Sequence, residues 1–133
     1  MLRRRGWRQH DPFHPTFGHA VWGTAPGSAW VGDDRGGVSL WDGSTPSVSD
    51  DIGSQVHDIW GTGANDVWAV GESGATAHWD GTSWSSAGSL NGGEINALYA
   101  VWGSASNDVW AVGRRGAMAR WDGSMWSVVA AGL

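Results

Sequence analysis

Tryptophan stands at two fixed intervals, and the pair of intervals occurs three times along the chain. Trp22, Trp60 and Trp102 each open a unit, Trp30, Trp68 and Trp110 follow after 8 residues, and Trp41, Trp79 and Trp121 follow after 11 more. The distance to the next opening Trp changes from 19 residues (Trp41 to Trp60) to 23 (Trp79 to Trp102). Length therefore varies between units and not inside them, which marks each unit as one folding module.

The resulting periods of 38 and 42 residues suit a four-stranded antiparallel blade. A helical repeat of that length needs long stretches at 3.6-residue periodicity, and glycine or an Asp-Gly pair interrupts every candidate. In the second unit the expected strands end near Trp60-Gly61, run from Asp66 and from Ala75, and begin again at Ser83. Gly71 to Gly74 reads as a hairpin. Asp80-Gly81, repeated as Asp42-Gly43 and Asp122-Gly123, reads as a two-residue type I′ turn. The run Val-Trp-Ala-Val is apolar at consecutive positions, as a strand covered on both faces requires. The expected class is all-β: three propeller blades, either a partial propeller or a ring completed by oligomerisation.

These units resemble the bacterial Trp-rich repeat proteins with a DVWAVG…G…WDG..W pattern, which are similar to Asp-box (BNR)-like β-propellers. The resemblance spans about 115 of the 133 residues and implies fold more than function. It departs from a strict Asp-box, because Asp80 precedes Trp84 and Asp122 precedes Trp126 by four positions, and the first unit has Pro46 there. Blades are expected at about 18–55, 56–97 and 98–133, after a basic, flexible tail at 1–17.

The charge is uneven. The first 17 residues carry four Arg against Asp11, whereas from residue 18 onward 12 acidic residues face 4 Arg. An acidic body disfavours nucleic acid as the main partner, since phosphate binding needs clustered cations. No apolar run follows the basic start, so no complete signal peptide is present, and nothing approaches the length of a membrane span. A soluble chain is expected, in a compartment that the sequence does not reveal. Cysteine is absent, which removes disulfides, thiolate zinc sites and Cys nucleophiles.

Candidate functional residues are those that vary between units. The hairpins between second and third strands read Asp33-Asp34-Arg35-Gly36, Gly71-Glu72-Ser73-Gly74 and Gly113-Arg114-Arg115-Gly116, keeping a turn while changing its charge. Asp34, Glu72, Arg114 and Arg115 are thus candidate ligand contacts, joined by Trp84 and Trp126 on the outer strands, where exposure is expected. The other repeated Trp residues read as core. Asp42, Asp80 and Asp122 are expected to cap their own turns by accepting backbone N–H groups, as structural residues. The five His residues are read as out of phase with the repeat and without metal-ligand spacing. No cofactor fingerprint or catalytic residue is identified.

A non-catalytic binding module for protein or glycan ligands is the leading expectation. The alternatives are a fragment of an Asp-box-type propeller glycoside hydrolase, disfavoured by a single Tyr (Tyr99) and two Glu, and a purely structural array. Three blades leave two apolar faces open. A homodimer forming a six-bladed ring, or membership of a longer array, is expected.

Overall fold

The computed structural model describes residues 18–90 and 95–130; the expected tail at 1–17 lies outside them. The fold is all-β, with three antiparallel sheets of four strands in sequential order. The first holds β1 (Gly18–Ala25), β2 (Ser28–Asp33), β3 (Gly37–Trp41) and β4 (Pro46–Asp51). The second holds β5 (Val56–Gly63), β6 (Asp66–Gly71), β7 (Ala75–Trp79) and β8 (Trp84–Ser89). The third holds β9 (Leu98–Ala105), β10 (Asp108–Gly113), β11 (Met118–Trp121) and β12 (Trp126–Ala130). Neighbouring sheets approach through their first strands, β1 against β5 and β5 against β9.

The two tryptophan intervals have a geometric origin. Across the first hairpin of each blade, Trp22 pairs with Trp30, Trp60 with Trp68 and Trp102 with Trp110. Directly opposed residues project to the same side of a sheet. Eight residues therefore put two indoles on one face, here called the leading face. Trp79 pairs with Val67, and Trp121 with Val109, which are one residue out of step with the second Trp. The step of 11 thus carries the third Trp to the trailing face. There a fourth indole joins it, since Trp84 pairs with Trp79 and Trp126 with Trp121.

Stacking brings a leading face against the next trailing face. The Trp30 ring lies 5.0 Å from Trp79 and 5.1 Å from Trp84, centroid to centroid. At the second seam Trp68 lies 4.8 Å from Trp121 and 5.3 Å from Trp126. The contact with the fourth indole is edge-to-face at 84° in both seams, the arrangement that ring quadrupoles favour. Each seam is thus a clamp: one indole of a blade held between two of its successor. Trp68, Trp84 and Trp126 bury their indole N–H groups without an oxygen acceptor, so these three rings hold by packing, whereas the Trp79 indole donates to Ala64 O at 3.1 Å.

The opening Trp needs glycine opposite it. A Cβ placed on Gly61 would stand 3.0 Å from the Trp22 ring, and one on Gly103 would stand 2.8 Å from the Trp60 ring. These seats let the first strands come close enough for one continuous core per seam. Val56, Ile59, Val67 and Ala69 surround the first clamp, and Leu98, Val101, Val109 and Ala111 surround the second.

The turn chemistry differs from the type I′ assignment at Asp-Gly. Of each such pair only the glycine has positive φ (Gly43, Gly81 and Gly123), and the loops run four residues, with the Asp80 N–H donating to Ser83 O at 3.3 Å and the Asp122 N–H to Met125 O at 3.2 Å. Two consecutive positive-φ residues occur instead at Ser73-Gly74 and Arg115-Gly116, each closed by a backbone bond from Ala75 to Glu72 and from Ala117 to Arg114. In the Asp-Gly loops the carboxylate organises the turn. Asp80 Oδ1 accepts N–H groups of Thr82 at 2.8 Å and Ser83 at 3.0 Å, and Asp122 Oδ1 accepts those of Ser124 and Met125. Asp42 Oδ1 accepts the Thr45 N–H and hydroxyl and, at 3.5 Å, the Ser44 N–H. These donors favour the ionised form and hold all three carboxyls below the ordinary carboxylate range, led by the backbone N–H of Thr45 at Asp42, Ser83 at Asp80 and Met125 at Asp122.

Removing the clamped ring should cost far more than removing an unclamped one. Trp68→Ala is expected to destabilise the protein by about 3–5 kcal/mol, measured by denaturant unfolding, and Trp102→Ala by less than half of that, because its ring is 62% exposed. Equal losses would contradict the clamp. The Asp-Gly loops should also show in acid. A depressed folded pKa gives a contribution complete above the unfolded carboxyl value of 3.8 and lost as pH falls through the folded value. The thermal midpoint of D42N/D80N/D122N is therefore expected to fall less than that of the natural protein between neutral pH and pH about 3.

Candidate functional site

The hairpins that follow β2, β6 and β10 lie on one rim, and the Asp-Gly loops lie on the opposite one. On the first rim the reversal of charge from tip to tip has a structural result. Glu72, on the β6–β7 hairpin, and Arg114, on the β10–β11 hairpin, come within 3.8 Å of each other. Both are exposed enough to meet a ligand, with side chains 38% and 45% accessible.

The first strands add aromatic rings to this pair. His19 on β1, His57 on β5 and Tyr99 on β9 each stand three residues before the opening Trp of their blade. Because the first strands lie side by side, equivalent positions form a track across three blades. His19 and His57 meet edge-to-face at 6.4 Å, and His57 and Tyr99 at 5.0 Å. The reading that histidines are out of phase is therefore corrected for His19 and His57. Aligning all three units on their opening Trp would have exposed the pattern, with Tyr99 as its third member.

Polar contacts lock the track to the hairpins. His57 Nε2 donates to Glu72 Oε2 at 2.7 Å. Arg114 donates to the Tyr99 hydroxyl through Nε at 3.2 Å and through an Nη at 3.0 Å. His19 Nε2 lies 3.2 Å from the side-chain amide nitrogen of Gln55. The Tyr99 hydroxyl, and after it the Glu72 carboxylate, raise the pKa of Arg114 above the ordinary guanidinium value. A permanent cation, a carboxylate, a phenol and two imidazoles thus occupy one strip of rim.

The other sequence candidates fall elsewhere. Asp34 sits half-buried on the β2–β3 hairpin, and Arg115 sits exposed beside Arg114. Trp84 and Trp126 are not exposed: Trp126 is buried and Trp84 half-buried. Outer strands look solvent-facing in a single blade, but these rings lie on the trailing face and close on Trp30 and Trp68. Their role is in the seams. Asp42, Asp80 and Asp122 stand on the opposite rim, occupied by their own backbone donors.

That opposite rim also holds a network repeated in two blades. Asp66 accepts the Thr62 hydroxyl and the His78 imidazole, both at 2.6 Å. Asp108 likewise accepts the Ser104 hydroxyl at 2.6 Å, the Arg120 guanidinium at 2.8 Å and the Trp110 indole at 3.1 Å. Ser104, and next Arg120, hold Asp108 below the ordinary carboxylate range. The hydroxyl bond and the bond to the residue before the third Trp recur at equivalent positions, with His78 exchanged for Arg120, while the indole bond of Trp110 has no counterpart at Trp68; the recurrence is the signature of a structural brace. Among the described residues no three His, Asp or Glu side chains are grouped to hold a metal ion, and no helix is long and apolar enough to cross a membrane.

No family model and no curated protein matches the chain. Solved structures do. The computationally designed Ika8 protein superposes with a TM-score of 0.71 at 21% identity, over 90% of this chain and 38% of its own. YCF48 from Cyanidioschyzon merolae gives 0.68 at 16% identity, over 86% of this chain and 37% of its own. A YCF48 described as bound to D1 peptide gives 0.68 at 19% identity, over 89% and 43%. The chain thus spans less than half the length of each of these three structures. At these identities the likeness concerns the fold, and together with the three stacked sheets it makes this chain a partial β-propeller of three blades.

Proposed function

We propose that the chain is a non-catalytic interaction module that binds a protein segment along the rim formed by His19, His57, Tyr99, Glu72 and Arg114. One observation carries this reading: side chains from all three blades, which vary while the scaffold repeats, converge on a single strip. Arg and Tyr supply much of the energy at protein interfaces, because a guanidinium fork or a phenol offers both area and directed hydrogen bonds. Here they stand beside a carboxylate and two imidazoles, so a peptide backbone, a side-chain carboxylate or a cation each finds a partner. A neighbour in fold, YCF48, has been solved with a peptide, which supports the choice of protein over glycan. The acidic groups of the opposite rim are engaged by backbone or brace donors, which supports a scaffold role for them rather than acid–base chemistry.

Selection of displayed peptides on the intact chain, followed by calorimetry with Arg114→Gln and Glu72→Gln, tests the reading. Selected peptides are expected to lose about tenfold or more in affinity in either variant, the scale of a hot-spot contact. Peptides that bind both variants as well as the natural protein would move the site off this rim. Binding on a glycan array that is lost in the same variants would assign the rim to sugars, and turnover of chromogenic glycosides would overturn the non-catalytic assignment.

A further inference from the structure

The outer faces of the first and third blades present the two halves of a seam that the chain has already built twice. One residue before the opening Trp, Ile59 is 2% exposed and Val101 5%, each covered by the preceding blade. Their counterpart in the first blade, Val21, is 61% exposed. On the leading side Val70 is fully buried in the second seam, whereas its counterpart Val112 in the third blade is 42% exposed and Trp102 is 62% exposed. Val129 of the third blade, in phase with the packed Ala87, is also exposed.

The free halves are complementary in shape as well as polarity. At the first seam the leading face offers Gly32 and the trailing face offers Val56; a Cβ on Gly32 would stand 2.8 Å from the Cβ of Val56. At these outer faces the sizes are exchanged. The counterpart of Gly32 is Val112, and the counterpart of Val56 is Gly18. Beside Gly18 lies a hollow of about 350 Å³ lined by His19, Ala20, Val21 and Val31, where the missing side chain leaves room. Gly23 likewise repeats the glycine seats at Gly61 and Gly103, yet no ring from another blade lies within 4 Å of its Cβ position. An indole placed as Trp22 and Trp60 are placed would rest there.

From this repeated interface we infer that the leading face of the third blade docks on the trailing face of the first blade in a second copy of this chain. Trp102 takes the Gly23 seat, and Val112 enters the hollow beside Gly18. Pro46 stands opposite Trp41, where the second and third blades carry the fourth indole, so no such ring closes on Trp110 there. The contact between copies is therefore weaker than the seams inside the chain and depends on concentration. It is heterologous, with different surfaces on the two partners. A two-fold axis along the ring axis allows two copies to make it twice.

Sedimentation equilibrium over a concentration series, on the natural chain and on Val21→Glu and Trp102→Glu, tests the docking. Both positions are exposed in the single chain, so each variant is expected to keep its β-sheet circular dichroism. The natural chain should associate reversibly to twice its mass. Either variant should associate at least about tenfold more weakly. An equimolar mixture of the two should recover association, since the unaltered third-blade face of the Val21→Glu chain meets the unaltered first-blade face of the Trp102→Glu chain. A natural chain that stays monomeric throughout, variants that associate as well as it does, or a mixture no better than its components would each overturn the inference. None of these outcomes depends on whether the rim binds peptide.

Discussion

One indole held between two others in the next sheet is the interaction on which the rest depends. A four-stranded antiparallel sheet of about 40 residues has little interior of its own, and here its apolar side chains are shared with a neighbour. The clamp makes the sharing directional, because the leading face carries the held ring and the trailing face carries the grip. Gly61 and Gly103 set the depth of approach, and Val-Trp-Ala-Val strands fill both sides. From this arrangement follow the parallel placement of β1, β5 and β9 and the alignment of their equivalent residues.

That alignment turns a repeat into a site. Residues at one phase, three positions before the opening Trp, are brought into a line by packing that has nothing to do with them. His19, His57 and Tyr99 are free to differ because no clamp or seat uses them, and the hairpin tips bearing Glu72 and Arg114 are free for the same reason. The opposite rim is occupied differently. There Asp80 and Asp122 fold their own loops, and Asp66 and Asp108 brace the strands, so its polar groups are already engaged. The two rims thus divide the labour between shape and recognition.

Much of the fold was legible because its cause is periodic. Spacings of 8 and 11 follow from strand pairing and the alternation of faces, and Asp66 and Ala75 mark strand starts through the turns before them. Turn type was less legible. Asp-Gly favours a two-residue reversal in isolation, but with Thr82 and Ser83 following, the Asp80 carboxylate satisfies two N–H groups of a four-residue loop instead. The position of Trp84 and Trp126 depends on a neighbouring sheet, and a single unit carries no trace of that neighbour. Glu72 and Arg114 stood out through charge alone. Their partners His57 and Tyr99 were overlooked, because chemically different residues at one phase do not resemble a repeat.

The paired left-handed residues at Ser73-Gly74 and Arg115-Gly116 carry a consequence for how such a surface can change. Each tip reverses the chain within itself through local dihedral angles, and its ties to the body run through the main chain, from the N–H groups of Glu72, Ser73 and Arg114 to the carbonyls of Gln55, Asn96 and Ala97. Such a segment behaves as a cassette: exchanging the residue ahead of the reversal alters what the module displays and leaves the strand register behind it untouched. New recognition can be acquired at the margin of this architecture at little thermodynamic risk to its interior.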